Sequence, residues 1–275
     1  MRIAVFQMRS GIDPAENARA LAGAIADAAK GGAAMLFTPE MSGLLDRDRS
    51  RAATHIAAES GDPVLAAVAE AAAEAGIWVS LGSLALAGGN DGRLSNRGFV
   101  IDSAGAIRAR YDKIHLFDVD LPTGESWRES SAYAPGEGAV VVETPIGRLG
   151  LSICYDLRFP ALYSALSDAG ATVLTVPAAF TVPTGKAHWH MLLRARAVEN
   201  AAWVVAAAQT GDHEDGRSTY GHSLVVDPWG EIVLDMGSDV GVGFADIDPQ
   251  RTADVRARIP VTAHRRPIPP VELRT

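Results

Sequence analysis

A chain of 275 residues with 48% hydrophobic and 21% charged residues has the balance of a folded protein with a substantial core. Its net charge of −8 argues against a nucleic-acid or anionic-membrane surface, and its longest fully apolar run, Ala201 to Ala208, is far short of the ~20 residues of a membrane span. One cysteine cannot make an internal disulfide, and Met1 leads into a strand-like segment without a signal-peptide cleavage site, so a cytoplasmic protein is expected.

"RIAVFQ" reads as a first strand. "DPAENARALAGAIADAAKGG" follows as a helix: Asp13 caps it, Pro14 suits its first turn, Glu16 completes a capping box and Gly31 stops it. "AAMLFTPE" is a buried strand ending at Pro39–Glu40. "GDPVLAAVAEAAAEAG" repeats the helix design with Asp62, Pro63 and Gly76, and "IWVSLGS" is the next strand. Then the chain turns antiparallel. "GFVID" and "IRARYDK" flank Ser103-Ala104-Gly105, and "AVVVE" and "LGLSIC" flank the turn at residues 145–147. Beyond Cys154 come a helix near Pro160–Asp168, strand "TVLTVP", helix "HWHMLLRARAVENA" and strand "WVVAAAQ". A hairpin of "HSLVVD" and "EIVLDMG" and a last strand "GVGFADID" complete the series.

Helices alternating with short apolar strands predict an α/β layer fold, and the hairpins make its sheet mixed. No linker, repeat or low-complexity stretch divides the chain, so residues 1–259 read as one domain. The tail, residues 260–275 with "RRPIPP", is too proline-rich to extend a sheet and is expected along the surface or on a partner subunit. His188 and His190 stand two apart without a zinc-type cluster, and "GVGFAD" lacks the third glycine of a dinucleotide fingerprint. No metal or cofactor is expected.

Three chemically capable residues end predicted strands: Glu40 after "AMLFTP", Lys113 in "RYDKIHLF" and Cys154 after "LGLSI". In α/β sheets the carboxyl ends of strands are where sites assemble. Taken singly, each also reads as ordinary: a packed cysteine, a solvated carboxylate, a solvated ammonium. Taken together, with Glu40 in "FTPE", Lys113 in "YDKIHLFDVD" and Cys154 in "SICYDLRFP", they resemble the Glu-Lys-Cys triad of the nitrilase superfamily of carbon–nitrogen hydrolases. "KIHLFDVDLPTGESWRES", "AFTVPTGKAHW", "LLRARAVEN", "AAAQTG" and "YGHSLVVDPWGE" are similar to its Nit branch.

The resemblance implies a four-layer αββα sandwich, assembled as a homodimer or larger homo-oligomer, that hydrolyses a small-molecule amide through a thioester on Cys154 without a cofactor. Glu40 would be the proton carrier, and Lys113 with the Tyr155 N–H the oxyanion site. Glu129 in "WRESSAY" aligns with a second glutamate that orients the lysine. On the substrate side, Arg158 suits a carboxylate grip, with a pair to Asp156 or a surface role as alternatives. Thr184, Lys186 and His188 belong to the same family motif, and His190 stands where many relatives carry glutamate. Nit-branch amidases act on deaminated glutathione or on α-ketoglutaramate, and "AAAQTG" and "FTVPTGKAHW" are more similar to the former group. Two rival readings remain: a papain-like hydrolase using His188 or His222 as base, and a non-catalytic module with an inert cysteine.

Overall fold

The first strand, Arg2–Gln7, sets the layering. Ile3 and Val5 enter one apolar cluster and Ala4 and Phe6 another, as a period-2 strand covered on both faces requires. The computed structural model describes residues 1–120, 124 and 126–274; residues 121–123 and 125 of the "KIHLFDVDLPTGESWRES" segment lie outside the described residues.

Two six-stranded sheets form the centre. One runs in the order Gly241–Asp246, Arg2–Gln7, Met35–Phe37, Trp78–Leu86, Ser95–Ile101 and Ile107–Asp112. The other runs Ile232–Asp235, Leu224–Val226, Trp203–Ala206, Val173–Thr175, Gly147–Gly150 and Val141–Thr144. Each has a parallel centre and antiparallel flanks. The Pro14–Lys30 and Pro63–Ala75 helices bury Leu21, Ile25, Leu65 and Val68 against the outer face of the first sheet. The Pro160–Asp168 and Val182–Asn200 helices bury Leu162, Leu166, Trp189 and Leu193 with the second. Each such side chain contributes about 1.5–3 kcal/mol. The layers are helix, sheet, sheet, helix, the αββα sandwich that the resemblance implies.

Most local punctuation follows the sequence. Asp13 accepts from Ala15 N and Asp62 from Leu65 N, at 2.8 Å each, and Gly76 ends its helix with φ +67°. Glu16 closes no capping box; it lies 3.6 Å from Arg19. Gly31 keeps helical geometry, and the left-handed residue is Gly32 at φ +76°. The strand expected to reach Cys154 stops at Gly150. Side chains take over its hydrogen bonds there: Ser152 Oγ donates to Thr175 O, and Ile153 N donates to Asp156 Oδ2. The long helix starts at Val182, six residues before His188, with Pro183 in its first turn. A Pro249–Arg258 helix follows the last strand, capped by Asp248, and its Asp-Pro start is the signal already seen at Asp13 and Asp62. The tail is tied to the body through Arg265, which donates to Ser164 O at 2.8 Å and Asn200 Oδ1 at 2.7 Å. Among the described residues no helix is long and apolar enough to cross a membrane.

Gly82 brings the Trp78–Leu86 strand against the segment that leads into Glu40. A Cβ at this position would lie 2.2 Å from Thr38 O and 2.3 Å from Pro39 O. Gly82→Ala is expected to destabilise the fold by about 1–3 kcal/mol, the usual range for overpacking, in a denaturant titration.

Candidate active site

Cys154 sits where the chain leaves the second sheet and enters a 3₁₀ turn, Cys154–Arg158. Its φ of +51° is a left-handed conformation that a residue with a Cβ keeps only when its surroundings impose it. Here the backbone imposes it. Cys154 N donates to Pro177 O at 2.9 Å, and the fully buried Asp156 carboxylate accepts from Ile153 N at 2.8 Å. The same carboxylate accepts from Tyr111 Oη at 2.7 Å and His115 N at 3.0 Å, and His115 Nδ1 lies 2.7 Å from it. Tyr111 and His115 flank Lys113, so one buried carboxylate ties the cysteine turn to the lysine segment. Asp156 therefore has no role as a partner for Arg158.

Glu40 follows the Met35–Phe37 strand and Lys113 the Ile107–Asp112 strand. Lys113 Nζ donates to Glu40 Oε1 and to Glu129 Oε2, both at 2.8 Å. Asn96 Nδ2 donates to Glu40 Oε1 at 3.0 Å and to Glu129 Oε1 at 3.1 Å. Ala179 N donates to Glu40 Oε2 at 3.0 Å, and Phe117 N to Glu129 Oε2 at 2.7 Å. The Lys113, Glu40 and Glu129 side chains are only 2%, 6% and 13% exposed, so their charges act on one another with little screening.

Burial opposes charge on Glu40, Lys113 and Cys154 alike. For Glu40, the Lys113 ammonium and hydrogen bonds from Cys154, Lys113 and Asn96 outweigh it and hold the carboxyl below the ordinary 4.5. Lys113 is desolvated too, yet Glu129 and Glu40 lift it well above the usual lysine value. The Cys154 thiol is pushed well up, by burial first and then by the Glu40 charge. Both burial and the Glu40 charge thus favour the protonated thiol over the thiolate.

A cavity of about 830 Å³ opens over this cluster, a volume suited to a small molecule. Of the expected residues, Glu40, Lys113, Glu129, Cys154, Tyr155 and Thr184 line it, together with Phe117, Trp127, Tyr133 and Phe180. Arg158, Lys186 and His188, expected on the substrate side, do not line it. Arg158 donates to His188 Nδ1 at 3.3 Å and lies over the Tyr155 and Phe180 rings. Lys186 is exposed, because it stands two residues and about 200° around the helix from buried Thr184. His188 lies one turn further from the helix start and spends its ring nitrogen on Arg158.

The arginines on the cavity wall are Arg47, Arg49, Arg128 and Arg217. Arg128 is paired with Asp120 at 2.9 Å and Arg217 with Asp215 at 2.6 Å. Arg49 donates to two neutral acceptors, Arg128 O and Ser131 Oγ. Among the described residues neither Arg47 nor Arg49 forms a salt bridge with a carboxylate. Sequence reasoning missed both; the signal was "RDRS" at residues 47–50, shortly after the Glu40 motif. The rival bases are not near the thiol either: His188 is held by Arg158, His222 Nδ1 lies 2.9 Å from Asp235, and neither lines the cavity.

The family model described as carbon-nitrogen hydrolase matches residues 2–257. The chain belongs to the carbon–nitrogen hydrolase family. It is 40% identical over 269 residues to the human protein named deaminated glutathione amidase, covering 96% of this chain and 82% of that one. The structure of Saccharomyces cerevisiae Nit3, a member of branch 10 of the nitrilase superfamily, superposes with a TM-score of 0.86 at 28% identity, over 97% of this chain and 96% of its own. An amidase mutant from Nesterenkonia sp. AN1, solved after Michael addition of acrylamide at its active-site cysteine, is 29% identical with a TM-score of 0.77, over 94% of this chain and 98% of its own. This carbon–nitrogen hydrolase is an amide-hydrolysing enzyme.

Because Cys154 is the only thiol, its ionisation is directly measurable as ultraviolet thiolate absorbance against a Cys154→Ala blank. A raised thiol loses its proton late, so the signal is expected only above the ordinary cysteine value of 9.0. A thiolate signal near neutral pH would instead reveal a preformed ion pair.

Proposed function

We propose that this carbon–nitrogen hydrolase cleaves deaminated glutathione at its γ-amide bond, releasing α-ketoglutarate and cysteinylglycine. One observation carries this reading: Cys154, Glu40 and Lys113 meet at a cavity whose wall also presents Arg47 and Arg49. The substrate carries a carboxylate at each end, and a carboxylate leaving water needs such partners. The human relative named for this activity supports the same substrate.

The chemistry follows from the contacts. Cys154 Sγ attacks the amide carbonyl as its proton passes to the Glu40 carboxylate on the same cavity wall. The oxyanion forms between the Lys113 ammonium and the Tyr155 N–H, a backbone donor in the first turn of the 3₁₀ segment. As the C–N bond breaks, Glu40 returns the proton to the departing amine of cysteinylglycine, leaving a thioester on Cys154. Water then gives a proton to Glu40 and attacks the thioester, and the Cys154 sulfur regains that proton as α-ketoglutarate leaves. Glu129 positions Lys113 through both carboxylate oxygens. Tyr155 and Thr184 contact the substrate from the wall.

In this reading residues 1–259 are the catalytic domain, with residues 260–275 a tail, and the protein works in the reducing cytoplasm, where its thiol stays free. It does so as a homodimer or larger homo-oligomer. Support comes from Met191 and Val198, 60% and 50% exposed on the Val182–Asn200 helix, near Trp229 and Val233 at 47% each. Val198 is next to Gly230, which places the helix and hairpin residues on one face.

Cys154→Ala is expected to fold and to lose essentially all turnover, while the wild type mixed with a slow substrate shows an acyl mass adduct on Cys154. Deaminated glutathione should exceed α-ketoglutaramate and neutral aliphatic amides in kcat/KM; a preference for α-ketoglutaramate would make the enzyme an omega-amidase. Arg47→Ala and Arg49→Ala should each weaken kcat/KM for deaminated glutathione about 10–100-fold, the value of a charged hydrogen bond, and leave neutral amides unchanged. Sedimentation at micromolar concentration should show no clean 28.8 kDa species.

A further inference from the structure

We infer that His190, His222 and Asp235 form a binding site for one divalent transition-metal ion of the zinc type, apart from the catalytic centre. The sequence offered only the His188–His190 pair and no metal was expected. Folding replaces His188 with two partners remote in sequence. His190 comes from the Val182–Asn200 helix, His222 from the connection after the Ser218–Tyr220 strand, and Asp235 from the end of the Ile232–Asp235 strand. None of the three lines the catalytic cavity.

The geometry suits such an ion. His190 Nε2 lies 3.1 Å from Asp235 Oδ2, His222 Nδ1 lies 2.9 Å from Asp235 Oδ1, and all three ligand atoms fall within 4.8 Å of one another. A tetrahedral zinc ion with bonds of about 2.0–2.1 Å holds its ligand atoms roughly 3.3 Å apart. Each imidazole nitrogen already lies close to this distance from the Asp235 carboxylate, His190 from Oδ2 and His222 from Oδ1, so the carboxylate stands between the two rings where one ion would join all three. Two imidazoles and one carboxylate favour a borderline cation over calcium or magnesium, which take oxygen ligands.

The ligands are also held in place. Asp235 Oδ1 accepts from Gly237 N at 2.9 Å. The Tyr220 ring stacks on His222 at 4.5 Å and meets His190 edge-on at 6.0 Å. His222 has φ +54°, donates its N–H to Gly237 O and accepts from Trp189 Nε1 at 2.7 Å. Trp189 is the neighbour of His190, so one helix fixes the backbone of one ligand and carries the side chain of another. Such outer contacts are what preorganise a metal site. The side chains of the three ligands are 28–34% exposed, which gives an ion access from solvent. Bound there, the ion would clip the edge strand of the second sheet to the outer helix.

The test uses the Cys154→Ala protein, so that the catalytic thiol cannot capture the metal. Calorimetric titration with zinc should show one equivalent bound and a raised Tm, with no response to magnesium. His190→Gln and Asp235→Asn, introduced singly, should each lower the zinc affinity at least 10-fold. Without any further substitution, zinc should perturb the imidazole resonances of His190 and His222 and leave those of His115 and His188 in place, a readout that holds even where a variant fails to fold. Absence of saturable binding, unchanged affinity in a folded His190→Gln protein, or perturbation at other histidines in place of these two would overturn the site.

Discussion

One ammonium shared by two carboxylates, nearly withdrawn from water, is the constraint on which the rest of the structure depends. Charges moved out of water cost several kcal/mol each unless their partners and hydrogen bonds are well placed. Lys113 meets Glu40 and Glu129 at 2.8 Å, but the trio still carries one surplus negative charge. Asn96 Nδ2 and the N–H groups of Ala179 and Phe117 face the carboxylates and offset it. What the arrangement favours is an ionised Glu40 carboxylate beside a charged Lys113 ammonium, both on the wall of the cavity that Cys154 also lines.

The two sheets share the work of building this site. The first supplies Glu40 and Lys113 from the ends of two strands separated by two others, and the second supplies Cys154 from a turn with a left-handed backbone. Nothing local to the cysteine would keep that turn aligned with the lysine. Asp156 does so by accepting from Ile153 N on one side and from Tyr111 and His115 N on the other. Because the interior between the sheets is filled, small shifts in either layer would be felt at this carboxylate.

Electrostatics divides the molecule by scale. The chain as a whole is acidic, with net charge −8, and gains no long-range attraction for an anionic substrate. On the cavity wall Arg128 and Arg217 are tied to aspartates, while among the described residues Arg47 and Arg49 form no salt bridge with a carboxylate.

Much was readable before folding. Glu40, Lys113 and Cys154 each lie inside a short distinctive context, and helix starts at Asp13-Pro14 and Asp62-Pro63 are decided by donors and acceptors two or three residues away. Strand alternation likewise depends only on neighbouring residues. The sequence by itself therefore determined the family and the layered fold, and it singled out the three residues, Glu40, Lys113 and Cys154, that the structure brings to one cavity. Tertiary structure alone decided which cations face the cavity: Arg47 and Arg49 line it, and Arg158 and Lys186 do not. It also decided that Asp156 binds Tyr111 and His115, and that His190 meets His222 and Asp235. The physical reason is the same in each case: these contacts depend on the rotation of a packed helix and the placement of one sheet on another, which are set by burial of distant apolar residues and not by the neighbours of the residue concerned.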